Sequence, residues 1–223
     1  MSFSQELLED AQDIWEAQME HPFVGELADG TLKEGAFRHW IKQDYRYLID
    51  YARVFALASA RARKESRMSS LIDIANSTLN VEMDLHREFA SGYGISAEDL
   101  EDTQKAPLCQ AYTDFLVRTA HEGSLAEISA AVYPCGQGFL DIADHAASLA
   151  SEEHRYTPWI EMYTGDEFRE VVDDMRDWVD ECAREYPGEH DAMREAFFTS
   201  ARLEYAFWGE NYNYDEDSVF SEQ

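Results

Sequence analysis

Four side chains with useful chemistry interrupt helical faces that are otherwise apolar. In FRHWIKQDYRYLIDYARVF (37–55), Phe37, Trp40, Ile41, Tyr47, Leu48, Tyr51 and Phe55 recur at helical spacing, and Asp44 stands inside their stripe. A carboxylate on such a face is costly unless it is paired or hydrogen-bonded. Asp44 is therefore either a structural group tied to tyrosine hydroxyls or an arginine, or part of a site. In MREAFFTSARLEYAFWGE (193–210), Met193, Phe197, Ala201, Phe207 and Trp208 share a face with Glu204, which either interrupts it or snorkels from its edge. In PLCQAYTDFLVRTA (107–120), Leu108, Tyr112, Phe115, Leu116 and Thr119 turn Tyr112 inward. In ISAAVYPCGQGF (128–139), Ile128, Val132, Cys135 and Phe139 share a face, which Ile142 continues, so the Cys135 thiol also points inward.

A free buried cysteine is ordinarily a small inert hydrophobe, and Cys109 and Cys182 read that way. The backbone around Cys135 reads differently. Pro134 removes an N–H and clashes with the carbonyl one turn back, and Gly136 and Gly138 each cost about 1 kcal/mol relative to Ala inside a helix. Local propensity broken three times in five residues predicts a bent helix, with a thiol facing a cavity and glycines leaving room for a ligand. Taken together, one thiol, two carboxylates and several aromatics describe a pocket between helices that suits a flat, nitrogen-containing ring. A thiolate would add to an electron-poor ring carbon while a carboxylate moves protons.

The elements that must position these groups are helices. Apolar spacing is 3.6-like nearly throughout, and strand-like alternation is absent. The pattern predicts helices over 3–20 (Leu7, Ile14 and Trp15 inward), a short turn in FVGELADG, and 31–64 opened by a Thr31/Glu34 capping box. Further helices are predicted over 66–91, a short one capped by Ser96, 106–121, 124–150, 156–164, 166–186 and 189–212. The expectation is an all-α bundle of eight to ten helices in one domain over 1–214, with 215–223 frayed.

Composition narrows the function. The 223 residues carry 46 acidic against 18 basic side chains, a formal net charge of −28, and only four lysines. Such a surface repels nucleic acid and anionic membrane, and it suits a high-salt cytoplasm in which screening removes self-repulsion. Three cysteines with no CxxC exclude a disulfide framework and suit a reducing compartment. The acidic, amphipathic opening MSFSQELLEDAQDIWEAQ is no signal peptide, and no apolar run approaches a membrane span. A cytoplasmic protein is expected.

The chain resembles the TenA/thiaminase II family in HPFVGELADGTL (21–32), FRHWIKQDYRYLIDYAR (37–53), the YPC of 133–135, Tyr156 with PWIEMY (158–163), and FFTSARLEYAFW (197–208). The resemblance implies a heme-oxygenase-like all-α fold, a homotetramer, and hydrolysis of aminopyrimidine breakdown products of thiamine, or of thiamine itself, to hydroxymethylpyrimidine without metal or cofactor. It makes Cys135 the nucleophile, Glu204 the acid/base, and Asp44 the carboxylate that binds the pyrimidine edge and orients the thiol. Tyr47, Tyr112 and Tyr163 correspond to pocket tyrosines, and Phe207 to a stacking position. Where the family usually has Tyr four residues after the cysteine, this chain has Phe139, which keeps the aromatic wall without its hydroxyl. Bulky residues between them are replaced by Gly136, Gln137 and Gly138.

Two rivals remain at this level. A metal-dependent oxidase would want Glu-x-x-His pairs, but His86 follows Glu82 by four, His145 follows Asp141 by four, and no Glu-x-x-His occurs. A non-catalytic pyrimidine-binding or regulatory protein would need the pocket but not the thiolate.

Overall fold

The computed structural model describes residues 1–214; the tail expected to fray, 215–223, lies outside the described residues. Twelve α-helices make up the described residues, with no strand among them. The count exceeds the expected eight to ten because long periodic stretches are divided. Where one helix was expected over 3–20, the chain forms α1 (Phe3–Asp10) and α2 (Gln12–Met19), separated at Ala11. Division turns the inner face: Leu7 is buried as expected, but Gln18 is buried instead of Ile14 and Trp15, which are half-buried. Helix α3 (Pro22–Ala28) starts on a proline, and His21 Nδ1 accepts the Phe23 N–H at 3.1 Å.

The expected Thr31/Glu34 capping box does not form. Thr31 turns back to Asp29, donating its N–H and its hydroxyl to the same carboxylate oxygen at 3.0 and 2.6 Å. Helix α4 (Glu34–Ser59) accordingly begins after Lys33 without a side-chain cap. Gly30, at φ +80°, supplies the left-handed residue of the preceding turn, and a Cβ there would meet the His154 ring at 2.9 Å.

The stretch expected as one helix over 66–91 is α5 (Glu65–Ser77), a π-helical turn (Thr78–Glu82) and α6 (Met83–Gly92). The Met83 N–H bonds the Thr78 carbonyl five residues back, the π pattern. Ser96 caps α7 (Ala97–Asp102) in a reciprocal box with Asp99, as its sequence suggests. Then follow α8 (Pro107–Glu122), α9 (Leu125–Leu149), α10 (Thr157–Thr164), α11 (Asp166–Glu185) and, after a 3₁₀ turn at Pro187–Glu189, α12 (His190–Tyr212).

Two compact units divide the chain. The first comprises residues 1–32 and 126–209, and the second residues 33–125 with 210–214. In the first unit, Ser4 of α1 donates its N–H and hydroxyl to Asp180 of α11 at 2.8 and 3.1 Å. The Tyr156 hydroxyl donates to the Leu32 carbonyl at 2.5 Å. In the second unit, α4 is the central helix, contacting α5, α6, α7 and α8. All seven apolar residues of its stripe are buried. At roughly 1.5–3 kcal/mol for each large apolar side chain, the row far outweighs the cost of one paired carboxylate. No helix among the described residues is long and apolar enough to cross a membrane.

Helix α9 is the single helix expected over 124–150. It runs without interruption through Pro134. Gly136, expected to leave room for a ligand, leaves room for a neighbouring side chain. A Cβ on Gly136 would stand 2.9 Å from the Met175 sulfur of α11, and one on Gly138 would lie 3.9 Å from Oε1 of Gln18. The close approach of Met175 is the one that requires a glycine. Gln137, between the two glycines, belongs to a buried ladder: it accepts the Tyr133 hydroxyl at 2.9 Å and the Arg176 guanidinium at 3.1 Å, and donates to Asp141 at 2.8 Å.

Candidate active site

In the first unit, α9 carries Cys135 and, one turn later, Phe139; the two are 8% and 4% exposed. Both lie on the Val132–Ile142 face, as the 3- and 4-residue spacing dictates. Phe139 is the hub of an aromatic wall. Its ring centroid lies 4.9 Å from Tyr163 and 6.1 Å from Trp159, both of α10, and 5.1 Å from Trp208 of α12. Trp159 and Tyr163 are themselves in contact at 4.9 Å, and Phe207 meets Trp208 edge-on. Tilted and edge-on geometries of this kind are the favourable ones for aromatic pairs.

Glu204 stands one turn before Trp208 on α12, as Cys135 stands one turn before Phe139 on α9. It is 1% exposed, so it is an interior carboxylate and the snorkelling alternative falls. In this unit Cys135 and Glu204 are both buried, each one turn before an aromatic residue, Phe139 and Trp208, whose rings meet.

In the second unit, Asp44 and Tyr47 project from α4 and Tyr112 from α8, all buried. The Tyr47 ring meets Tyr112 at 5.0 Å and stacks with Tyr51 at 5.4 Å. Among the described residues Asp44 is tied neither to a tyrosine nor to an arginine, as the structural alternative had it. Its Oδ2 lies 2.6 Å from Nε2 of His86, on α6. Burial, the largest influence on His86, pulls its pKa down, but the hydrogen bond and charge of Asp44, with Glu82, leave it above the ordinary imidazole value.

Sequence reasoning missed His86. Its signal was available: Met83, His86 and Ala90 form the buried face of α6. It also missed Gln18, a fully buried carboxamide whose two polar atoms meet no hydrogen-bond partner among the described residues.

The other two cysteines are buried as well. The Cys109 thiol donates to the Gln43 carbonyl, and burial pushes its pKa up to about 12; Cys182 is buried on α11. Among the described residues, no group of three or more His, Cys, Asp or Glu side chains is placed to hold a metal ion.

Comparison with known proteins gives a consistent picture. The family model described as TENA/THI-4/PQQC matches residues 8–214. Over 216 residues the chain is 43% identical to a protein from Halalkalibacterium halodurans named aminopyrimidine aminohydrolase, with 96% of each chain covered. Its structure is similar to that of a TenA homologue from P. horikoshii OT3 (TM-score 0.89, 27% identity, covering 95% of this chain and 99% of that one). It is also similar to a Shewanella denitrificans domain with a heme oxygenase-like fold (TM-score 0.73, 13% identity, 93% and 90% covered). The all-α architecture is thus of the heme-oxygenase-like type.

Proposed function

The chain belongs to the TENA/THI-4/PQQC family, and we propose that it is an aminopyrimidine aminohydrolase of thiamine salvage, releasing hydroxymethylpyrimidine from an aminomethylpyrimidine. The observation that carries this reading is the buried Cys135–Phe139 turn of α9, set among aromatic rings that include Trp208, one turn after the buried Glu204. Likeness to a named aminopyrimidine aminohydrolase across 96% of both chains supports the same reaction.

Cys135 is assigned as nucleophile. Its thiolate adds to an electron-poor ring carbon, and the electron pair displaced into the ring expels the amine from the exocyclic methylene once that nitrogen is protonated. Water then adds to the methylene, and the thiolate leaves as the ring regains aromaticity. Net, one C–N bond is exchanged for one C–O bond, with one water consumed and ammonia released. Glu204 is assigned to the proton transfers at ring nitrogen and leaving group. Asp44 is assigned to the pyrimidine edge and to orienting the thiol, with Tyr47, Tyr112, Phe139, Tyr163 and Phe207 as binding residues. The reading requires no metal or cofactor, so turnover should survive a chelator.

The deciding experiment incubates the purified protein in high salt with the aminomethylpyrimidine and, separately, with thiamine. Hydroxymethylpyrimidine from the first is the expected product, and its absence from both would overturn the assignment.

A cytoplasmic homotetramer is part of the same proposal. Supporting it, Met68, Ile72 and Leu79 are exposed at helical spacing along α5 and the π-helical turn, an apolar row that a second subunit would cover. Light scattering at working concentration would test the assembly.

A further inference from the structure

The contact between His86 and Asp44 determines more than a pairing. Both side chains are buried, at 0% and 3% exposure. On the far side of the imidazole, Nδ1 lies 3.0 Å from the backbone carbonyl of Glu82. A carbonyl oxygen only accepts, so Nδ1 must carry a hydrogen. On the near side, Nε2 stands 2.6 Å from a carboxyl oxygen, too close for two lone pairs to face each other without a proton between them. One proton therefore occupies the gap between Nε2 and Oδ2. Whether it resides on nitrogen, as imidazolium with carboxylate, or on oxygen, as imidazole with carboxylic acid, the pair sums to zero charge.

We propose that His86 is a positioning residue of the reaction: it fixes the Asp44 carboxyl group and holds the shared proton, so that Asp44 meets the pyrimidine as half of a neutral couple and not as a lone anion. This rests on the assignment of Asp44 to the pyrimidine edge. A lone buried carboxylate would be costly, and it could only accept hydrogen bonds. The couple does more. Its carboxyl group accepts from the amino group of an aminopyrimidine, and its proton is available as a ring nitrogen gains basicity during thiolate addition. The fold is arranged to make the couple. The π-helical turn places one extra residue ahead of α6, which sets the face on which Met83, His86 and Ala90 are buried, and Trp40 lies against the imidazole with ring centroids 5.7 Å apart.

The test uses the full chain with His86→Gln, His86→Leu and Asp44→Asn, steady-state kinetics on the aminomethylpyrimidine, and proton NMR of the resting protein. His86→Gln keeps an N–H donor toward Asp44 but has no proton to share. It is expected to hold KM near the wild-type value while kcat falls by about 10²-fold, the scale of a positioned proton-transfer group. His86→Leu should raise KM as well as lower kcat. The wild-type spectrum should show a far-downfield N–H resonance that both His86→Gln and Asp44→Asn abolish. Wild-type kcat in His86→Gln would overturn the proposal, as would the lack of such a resonance. Failure of the functional reading shows separately, as wild-type protein that releases no product, and the NMR arm still decides the couple in that event. It also decides if His86→Leu does not fold.

Discussion

Gly136 of α9 and Met175 of α11 are in such close apposition that a Cβ on the glycine would stand 2.9 Å from the Met175 sulfur and 3.3 Å from its methyl group. The contact explains a residue that would otherwise be a poor choice inside a helix. Alanine at 136 would gain about 1 kcal/mol in helix propensity, and the flexible thioether can move aside at similar cost. Gly136→Ala should therefore leave the denaturant midpoint nearly unchanged and keep activity. Gly136→Leu should lose about 1–3 kcal/mol through overpacking. A large loss of turnover in a stable Gly136→Ala protein would instead mean that the glycine faces the ligand.

The three thiols should separate cleanly. Cys135→Ser is expected to fold normally and lose nearly all hydrolysis, because a hydroxyl is far harder to ionise than a thiol of free pKa about 8.5. Cys109→Ser and Cys182→Ser should retain turnover. Peptide mapping after limited alkylation should find Cys135 labelled and protected by a bound pyrimidine. Cys109, whose thiol burial raises to about 12, should remain unlabelled.

Glu204→Gln keeps the shape of a fully buried side chain and removes its proton chemistry. Turnover should fall by about 10²–10⁴-fold with far-UV circular dichroism unchanged. Normal turnover would return Glu204 to a structural role.

Stability should respond to pH through His86. Burial opposes its charge, but Asp44 of α4 and Glu82 of the π-helical turn hold the folded pKa above that of an ordinary imidazole. The folded state therefore binds the proton more tightly than the unfolded chain. This contribution is fully present below the unfolded pKa and is lost as pH rises through the folded one. Unfolding midpoints of the wild type and His86→Gln, followed from pH 6 upward, should converge. A gap that widens with pH would contradict the sign.

A net charge of −28 should make the protein salt-dependent, since repulsion among surface carboxylates grows as the Debye length lengthens. Melting temperature and turnover should both fall as salt is removed. Insensitivity to salt would leave the acidic surface without this explanation.

Periodicity carried most of the architecture. The buried faces of α4, α9 and α12, with Asp44, Cys135 and Glu204 inside them, follow from 3.6-residue spacing, because burial of a helical face is a local property of sequence. Partners are not local. The histidine that meets Asp44 is 42 residues away, and nothing in the spacing of either helix announces the other. Gly136 was misread for the same reason: a glycine reports that something approaches the backbone, but not whether it is a ligand or Met175. The separation at Ala11 and the π-helical turn had no Gly or Pro to mark them. Thr31 was misassigned because its hydroxyl donates to the nearby Asp29 carboxylate instead of accepting from an N–H of the following helix.

The π-helical turn at Thr78–Glu82 has a consequence for what this segment tolerates over evolution and in the laboratory. Substitutions that preserve helicity are absorbed wherever a polar side chain faces solvent, as Asn80 does. Changes of length are another matter. Deleting one residue would leave an ordinary, and locally more regular, α-helix, yet every side chain beyond it would rotate by roughly 100° about the axis. His86 would leave Asp44 while the helix itself persisted. The segment's residue number, more than its residue identities, is what the neutral couple constrains.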